Sequence, residues 1–255
     1  MPTNAAIVGW AHSPFGKLAD PDIETLFGRV AGQALEHAGV APEDVGLVAA
    51  GVLNNGFSKQ GFEAALVGVA CPSLATTPAI RTENACATGS AALYTALDFI
   101  ESGRGKIALV VGAEKMTATP NAQVGDILLS ASYRPEEADV EGGFAGIFGK
   151  IAQNYFQRHG DRSAELGMIA AKNHANGVAN PYAHIRKDLG VAFCSTVSDK
   201  NPLVAGPLRR TDCSLVSDGA AALVLADDET AKSMKKAVAI KATGHAQDFL
   251  PMSKR

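Results

Sequence analysis

The seven residues Asn-Ala-Cys-Ala-Thr-Gly-Ser at positions 84–90 have the types and spacing that could carry covalent chemistry. The apolar pattern predicts a strand that ends at Thr82 and an alanine-rich helix over Ala85–Glu101, so Cys86 lies at the helix start. The unpaired backbone N–H groups of a helix N-terminus favour an anion there, which makes a cysteine thiolate a better-populated nucleophile. The same N–H groups can hold the oxyanion that forms when the thiolate attacks a carbonyl. On position alone, Cys86 is either a nucleophile or an inert side chain packed in a core.

The elements that would position this cysteine alternate regularly along the chain. The pattern predicts strands at 5–11, 45–53, 76–82, 106–112 and 220–226, and helices at 22–37, 61–71 and 85–101. Alternating polarity over 237–244 is typical of an edge or antiparallel strand. We therefore predict an α/β fold, in which a mixed five-stranded sheet carries helices on both faces.

The alternation stops near Met116. Residues 117–211 are polar and rich in Gly, Asn and Pro, with helical patches at 148–159 and 164–176. So long an interruption of a compact domain is usually functional. We predict an α/β domain formed by residues 1–116 and 212–255, with residues 117–211 as an inserted loop domain.

Composition excludes several classes of protein. A net charge of −3 argues against a nucleic-acid partner, which would need clustered Lys and Arg. No apolar run is long enough for a transmembrane helix. The 4 cysteines contain no Cys-x-x-Cys pair, so we expect neither a disulfide framework nor a metal site. A reduced protein of the cytoplasm is the expectation.

Several segments in order give the chain a family resemblance. The segment 84–90 resembles the nucleophile motif of the thiolase family, and is most similar to its sterol-carrier-protein-like branch, the SCP2-type thiolases, which are classed with acetyl-CoA acetyltransferases. Ala-Leu-Val-Val-Gly-Ala-Glu-Lys-Met-Thr at 108–117 and Ser-Asp-Gly-Ala-Ala at 217–221 resemble two further motifs of these enzymes. Segments around 148–149, 173–174 and 180–183 resemble the helical loop region of the same branch.

The resemblance implies a five-layered fold of two similar halves, of which this chain supplies the first half and the loop domain. Cys86 would take an acyl group from a 3-ketoacyl-CoA and pass it to CoA, or run the reverse Claisen condensation, with its own backbone N–H as one oxyanion donor. Acyl-CoA and CoA would be substrates, and no permanently bound cofactor is implied. The candidate substrate-binding or CoA-binding residues are Asn84, Gly89, Met116, Asn173 and His174.

The chain also departs from the family pattern. Thiolases need a histidine that activates the nucleophile and a second acid/base, and both lie in the second half of the family's chain. We find no Gly-His-Pro, His-Asp-Cys-Phe or Cys-Gly-Gly segment in these residues. We therefore expect the C-terminal half to come from a longer polypeptide or from a second subunit, in a homo- or hetero-oligomer, and this chain alone to be inactive.

Two alternatives remain open from the sequence. A 3-ketoacyl synthase or a hydroxymethylglutaryl-CoA synthase-like condensing enzyme also uses a cysteine at this helix start. A non-catalytic assembly subunit could keep the fold without the reaction. The Asp-Gly-Ala-Ala segment at 218–221 and the long helical insertion favour a thiolase.

Overall fold

A computed structural model describes residues 3–254. The chain forms two compact units, the first from Met1–Thr117 and Asp218–Ala246, the second from Ala118–Ser217 and Gln247–Arg255. The division into an α/β domain and an inserted loop domain stays a prediction. Within residues 3–254, no helix is long and apolar enough to cross a membrane.

The first unit is built on one mixed sheet. Its strands are β1 Ala5–His12, β2 Leu47–Gly51, β3 Ala79–Thr82, β4 Ile107–Glu114, β7 Gly219–Asp227 and β8 Val238–Ala239. The strands numbered 5 and 6 belong to the second unit and are described with it. The order across the sheet is β3-β2-β4-β7-β1-β8. Strands β2, β3 and β4 are parallel, whereas β7 runs antiparallel to β4 and β1.

The predicted mixed sheet is confirmed, with one difference in strand number. In the described residues it has six strands rather than five, since the short β8 pairs with the outer edge of β1. Only Val238–Ala239 of the predicted segment 237–244 forms a strand. Both of these side chains are exposed, so little apolar burial extends the pairing further.

Helices cover both faces of this sheet, as predicted. Helices α1 Ile23–Ala38 and α2 Glu63–Ala70 pack on one face, and α3 Thr88–Glu101 packs on the other. Leu26, Phe27 and Val30 of α1 are fully buried because they recur at helical spacing on its inner side. A short helix, α9, occupies Asp228–Ala231.

The second unit is more helical than the sequence pattern predicts. Its elements are α4 Asn121–Leu129, α5 Arg134–Glu137, α6 Gly143–His159, α7 Ser163–Ala179, α8 Gly190–Ser195, β5 Leu203–Ala205 and β6 Leu208–Arg209. The prediction of only two helical patches, at 148–159 and 164–176, is therefore wrong in extent. Glycine explains part of the error: α6 begins five residues before the predicted patch, and a Cβ at Gly146 in this first turn would clash with the Glu141 carbonyl, so the turn requires a residue that usually signals a loop.

Buried polar groups hold the second unit together. Arg209 is 2% exposed, and its Nε donates to Asp212 Oδ2 at 3.0 Å. Its guanidinium also donates to the Ser163 carbonyl at the start of α7. At the end of the chain, the Met252 N–H donates to Glu137 Oε1 at 2.8 Å. These bonds compensate charged groups that would be costly to bury alone.

Candidate functional site

Cys86 lies in a tight turn between β3 and α3. The helix predicted from Ala85 begins instead at Thr88, because Ala85 has a left-handed backbone with φ 45 and cannot continue a right-handed helix. The turn is closed by Ala87 N–H donating to the Asn84 carbonyl at 2.9 Å, and by Thr88 N–H donating to the Ala85 carbonyl at 3.1 Å. A non-glycine residue in this conformation costs about 1–3 kcal/mol and is typical of functional sites.

The Thr88 side chain stabilises the strained turn. Its hydroxyl accepts a hydrogen bond from the Asn84 N–H at 2.8 Å and donates to the Ala85 carbonyl at 2.6 Å. Thr88 is buried, while Asn84, Cys86 and Gly89 are exposed. The buried threonine therefore holds the base of the turn, and the turn presents the Cys86 thiol to solvent. Sequence reasoning missed Thr88, although a hydroxyl at the start of a helix is a common local signal.

Exposure separates Cys86 from the other three cysteines. Cys71 and Cys213 are half-buried and Cys194 is buried. Burial raises the pKa of the thiols of Cys71, Cys194 and Cys213 above the usual value. Because the thiolate is the reactive form, these three are poor nucleophiles. Cys86 alone among the four presents an exposed thiol at the start of a long helix.

A glycine lets the turn that contains Cys86 lie close to the sheet. Gly51 is the last residue of β2 and pairs with Thr82 on one side and Gly112 on the other. A Cβ at Gly51 would lie 3.1 Å from both Cγ2 and the carbonyl oxygen of Thr88. The absence of a side chain at this position therefore fixes the height of the helix start above the strand ends.

We expect Gly51→Ala to lower the free energy of unfolding by about 1–3 kcal/mol, because the added methyl overpacks the contact with Thr88. Urea denaturation followed by circular dichroism measures the change. Gly112→Ala is the matched control on the neighbouring strand, since its Cβ would meet the nearest atom at 3.6 Å, an ordinary contact. Equal effects of the two substitutions would contradict the role assigned to Gly51.

A second polar cluster fixes the loop that follows β4. Asp218 is fully buried, and its carboxylate accepts hydrogen bonds from Lys115 Nζ at 2.7 Å and from the backbone N–H groups of Met116 and Thr117, each at 2.8 Å. The Leu18 N–H also donates to it, at 3.1 Å. Burial alone would raise the pKa of Asp218, but the hydrogen bonds from Lys115, Thr117 and Leu18 outweigh it and lower the pKa. The Asp-Gly-Ala-Ala segment thus joins two other chain segments, the loop at Leu18 and residues 115–117 after β4.

The predicted site residues lie in two places. Asn84, Cys86 and Gly89 share the turn before α3, and Met116 follows β4 on the same carboxyl edge of the parallel strands. Met116 is half-buried, and its N–H is bound to Asp218. Space around Gly89 is open, with no described atom within 4 Å of a Cβ built there. Asn173 and His174 lie on α7 in the second unit, the first exposed and the second half-buried.

Some basic side chains of the second unit bind other groups of that unit, and others are exposed. Arg162 pairs with Glu165 at 2.9 Å, and Arg186 donates to the Val178 carbonyl. Arg158 and Lys172 are exposed. In the part of the chain that the structure describes, no group of three or more His, Cys, Asp or Glu side chains could hold a metal ion.

Comparison with known proteins adds to this geometry. The family model described as "Thiolase, N-terminal domain" matches residues 5–229. An acetyl-CoA acetyltransferase of Methanocaldococcus jannaschii is 33% identical over 256 residues, which cover 99% of this chain and 64% of that protein. Sterol carrier protein 2 of Oryctolagus cuniculus is 29% identical over 186 residues, covering 68% of this chain and 32% of that protein.

The fold is also found among solved structures. An Ltp2-ChsH2(DUF35) aldolase superposes with a TM-score of 0.72 at 20% identity, over 100% of this chain and 65% of that one. The likeness confirms the fold predicted from the sequence. The chain spans 64% of the length of the acetyltransferase that it matches.

Proposed function

The chain belongs to the thiolase family, and from that premise we propose that Cys86 is the acyl-accepting nucleophile of a thiolase-type acyltransferase. The observation that carries the proposal is the exposed thiol on a strained turn, directly before the 14-residue helix α3. Matches to acetyl-CoA acetyltransferases support the same reaction class.

The proposed reaction has two half-reactions at the Cys86 sulfur. The thiolate attacks the 3-keto carbon of a 3-ketoacyl-CoA, and the carbonyl electron pair moves to oxygen. When this oxyanion collapses, the bond between C2 and C3 breaks; acetyl-CoA leaves as an enolate that takes up a proton, and an acyl thioester remains on Cys86. The sulfur of CoA then attacks the thioester, and acyl-CoA leaves as the Cys86 thiolate is released.

The chain's own contribution lies in the turn and the helix behind it. The backbone N–H of Cys86 is the proposed donor to one oxyanion, and the positive end of the α3 dipole favours both the thiolate and that oxyanion. Exposed Asn84 and the open space at Gly89 leave room for the thioester, so we propose that they contact substrate. We also propose contacts to the acyl chain or to CoA from Met116, Asn173 and His174.

The acid/base groups of the reaction are proposed to come from outside this chain. The relative from Methanocaldococcus jannaschii is longer, since the match covers 64% of it, and the family resemblance assigns the activating histidine to the remaining part. The partner is then the C-terminal half, in the same polypeptide or in a second subunit of an oligomer. The chain alone is proposed to be inactive in steady-state thiolysis. The free thiol fits a reducing compartment, and the cytoplasm is the proposed location.

Trapping the acyl-enzyme tests the proposal. The complete enzyme, meaning this chain with the polypeptide that supplies the rest of the family's length, is incubated with acetyl-CoA, quenched in acid and digested for mass spectrometry. We expect one acetyl group on the peptide that contains Cys86, and its loss when CoA is added. Acetylation of another cysteine, or of none, contradicts the proposal and favours a non-catalytic assembly subunit. Discharge only to a carrier-bound acyl group would favour the condensing-enzyme alternatives.

A further inference from the structure

A largely buried carboxylate lies at the last residue of β4, on the same edge of the sheet as the nucleophile turn. Glu114 accepts hydrogen bonds from the backbone N–H groups of Leu53 at 2.9 Å and of Asn54 at 3.3 Å, in the loop that follows β2. Asn54 and Asn55 both have left-handed backbones, with φ 52 and 47. Because such conformations persist only where the surroundings impose them, Glu114 is one of the groups that hold this loop.

The same loop is bound from the side of β3. Arg81 donates two hydrogen bonds to the Val52 carbonyl, at 3.1 and 3.0 Å, and one to the Leu53 carbonyl at 2.8 Å. Glu63, at the start of α2, is 1% exposed and accepts from Asn54 Nδ2 at 2.6 Å. Its second oxygen accepts no hydrogen bond from residues 3–254 and lies 3.5 Å from the Arg81 Nε. Residues 52–54 are thus held between Glu114 on one side and the Arg81–Glu63 pair on the other.

This loop connects directly to both ends of the turn that carries Cys86. The Val52 N–H donates to the Thr82 carbonyl at 3.3 Å, at the end of β3 where the turn begins. Gly51, which precedes Val52, packs against Thr88, where the turn ends. A displacement of residues 52–54 would therefore shift both Thr82, where the turn begins, and Thr88, where the turn ends.

We propose that Glu114 is a positioning residue for Cys86, acting through residues 52–54 on Thr82 and Thr88 rather than by touching substrate. The inference rests on the proposed function, because the place of the thiol matters for acyl transfer. Its physical basis is the chain of hydrogen bonds from β4 through the loop to β3, with the close packing of Gly51 on Thr88.

The charge of Glu114 gives this positioning a pH dependence. Burial raises the pKa of Glu114 to about 7, against the opposing effects of the Leu53 and Asn54 N–H groups and of Arg81. The charged groups that act on it from the neighbouring elements are Arg81 of β3 and Glu63 of α2. An ionised carboxylate accepts N–H hydrogen bonds more strongly than the neutral acid does. The loop is therefore held more firmly above pH 7 than below it.

The rate of Cys86 alkylation by iodoacetamide tests the proposal without any acyl donor. It is followed on the Cys86 peptide by mass spectrometry, over a range of about pH 6 to 9. For the wild-type chain we expect the rate to change in a step near pH 7 that follows the ionisation of Glu114. Glu114→Gln keeps the shape of the side chain but not its charge, so the step near pH 7 should vanish. Above that pH, the variant should react about 3- to 10-fold more slowly than wild type.

Glu101→Gln, at the exposed last residue of α3, is the matched control and should keep the wild-type profile. A Glu114→Gln profile identical to that of wild type would overturn the proposal. So would a wild-type profile that lacks the step near pH 7, whatever the stability of the variant. Failure to trap an acyl group on Cys86 would contradict the proposed function but leave these profiles unchanged, so the two failures are distinguishable.

Discussion

Replacing Cys86 with alanine is expected to reduce acyl transfer by the complete enzyme about 10⁴-fold or more, because it removes the sulfur proposed to carry the covalent intermediate. The fold should tolerate the change. Cys86 is exposed, and exposed substitutions usually alter the free energy of unfolding by no more than about 0.5 kcal/mol. The measurement is the rate of CoA-dependent cleavage of a 3-ketoacyl-CoA, together with a thermal unfolding curve of the variant.

Cys213→Ala is the matched control for the loss of a thiol. This cysteine is half-buried, and burial raises the pKa of its thiol, so its removal should leave the rate within about threefold of wild type. Retention of activity in Cys86→Ala would show that the sulfur at position 86 does not carry the acyl group. Equal losses in both variants would point to damage to the fold rather than to removal of a nucleophile.

Asp218→Asn is expected to cost about 3–5 kcal/mol of unfolding free energy, the usual penalty for leaving a buried charge without its partner. Asp218 is 0% exposed, and the Lys115 ammonium beside it at 2.7 Å would lose its counter-charge. An amide also presents N–H groups where the carboxylate accepts from the backbone of Met116 and Thr117. Equilibrium unfolding in urea at neutral pH measures the change.

Two further variants test whether the destabilisation by Asp218→Asn comes from the buried charge pair. Lys115→Met combined with Asp218→Asn removes both charges and should recover part of the lost stability. Asp126→Asn breaks an ion pair with Arg134 in which the side chains are 65% and 46% exposed, so it should cost less than about 1 kcal/mol. If Asp218→Asn proves no more harmful than Asp126→Asn, the buried cluster does not stabilise the sheet edge as described.

The folded-state pKa of Asp218 also fixes the sign of a pH effect. Because the pKa is lowered below its usual value, ionised Asp218 stabilises the fold above the unfolded pKa. That stability is lost as the pH falls through the lower folded-state pKa. The Asn variant lacks this acid-dependent loss, so the gap between the two proteins should narrow in acid.

Sequence periodicity predicted the elements that bury apolar side chains in a regular pattern. Helix α1 and strand β4 lie within two residues of their predicted bounds, because α1 repeats its apolar residues at helical spacing and β4 is a nearly continuous apolar run. The sequence also predicts Cys86 within the start of the following helix, but that helix begins at Thr88 and leaves Cys86 in the preceding turn. Helix α6 was predicted too short, since its first turn contains Gly143 and Gly146, residues otherwise typical of loops, and a Cβ at Gly146 would clash with the Glu141 carbonyl.

Other parts of the site left no pattern to recognise. Alanine is a strong helix former, so nothing in the sequence marks Ala85 as left-handed; the hydrogen bonds of Thr88 to Asn84 and Ala85 hold that conformation. Glu114 and Asn54 are 60 residues apart and meet only because β2 and β4 are neighbours in the sheet. Local spacing cannot reveal such a contact, although a carboxylate at the end of an apolar strand is a signal that could have singled out Glu114.

The place of β7 in the sheet has a consequence for the order in which the chain can fold. Its residues 219–227 lie between β4 and β1, yet they are synthesised roughly 100 positions after β4. During synthesis on the ribosome, β1 and β4 therefore emerge long before the strand that joins them, and each first has an unpaired edge. Pairings so distant along the chain require large loops to close and slow the folding of a domain. The sheet that carries the Cys86 turn is thus completed only after the inserted segment has left the ribosome, and unpaired apolar strand edges of this kind are prone to aggregation until then.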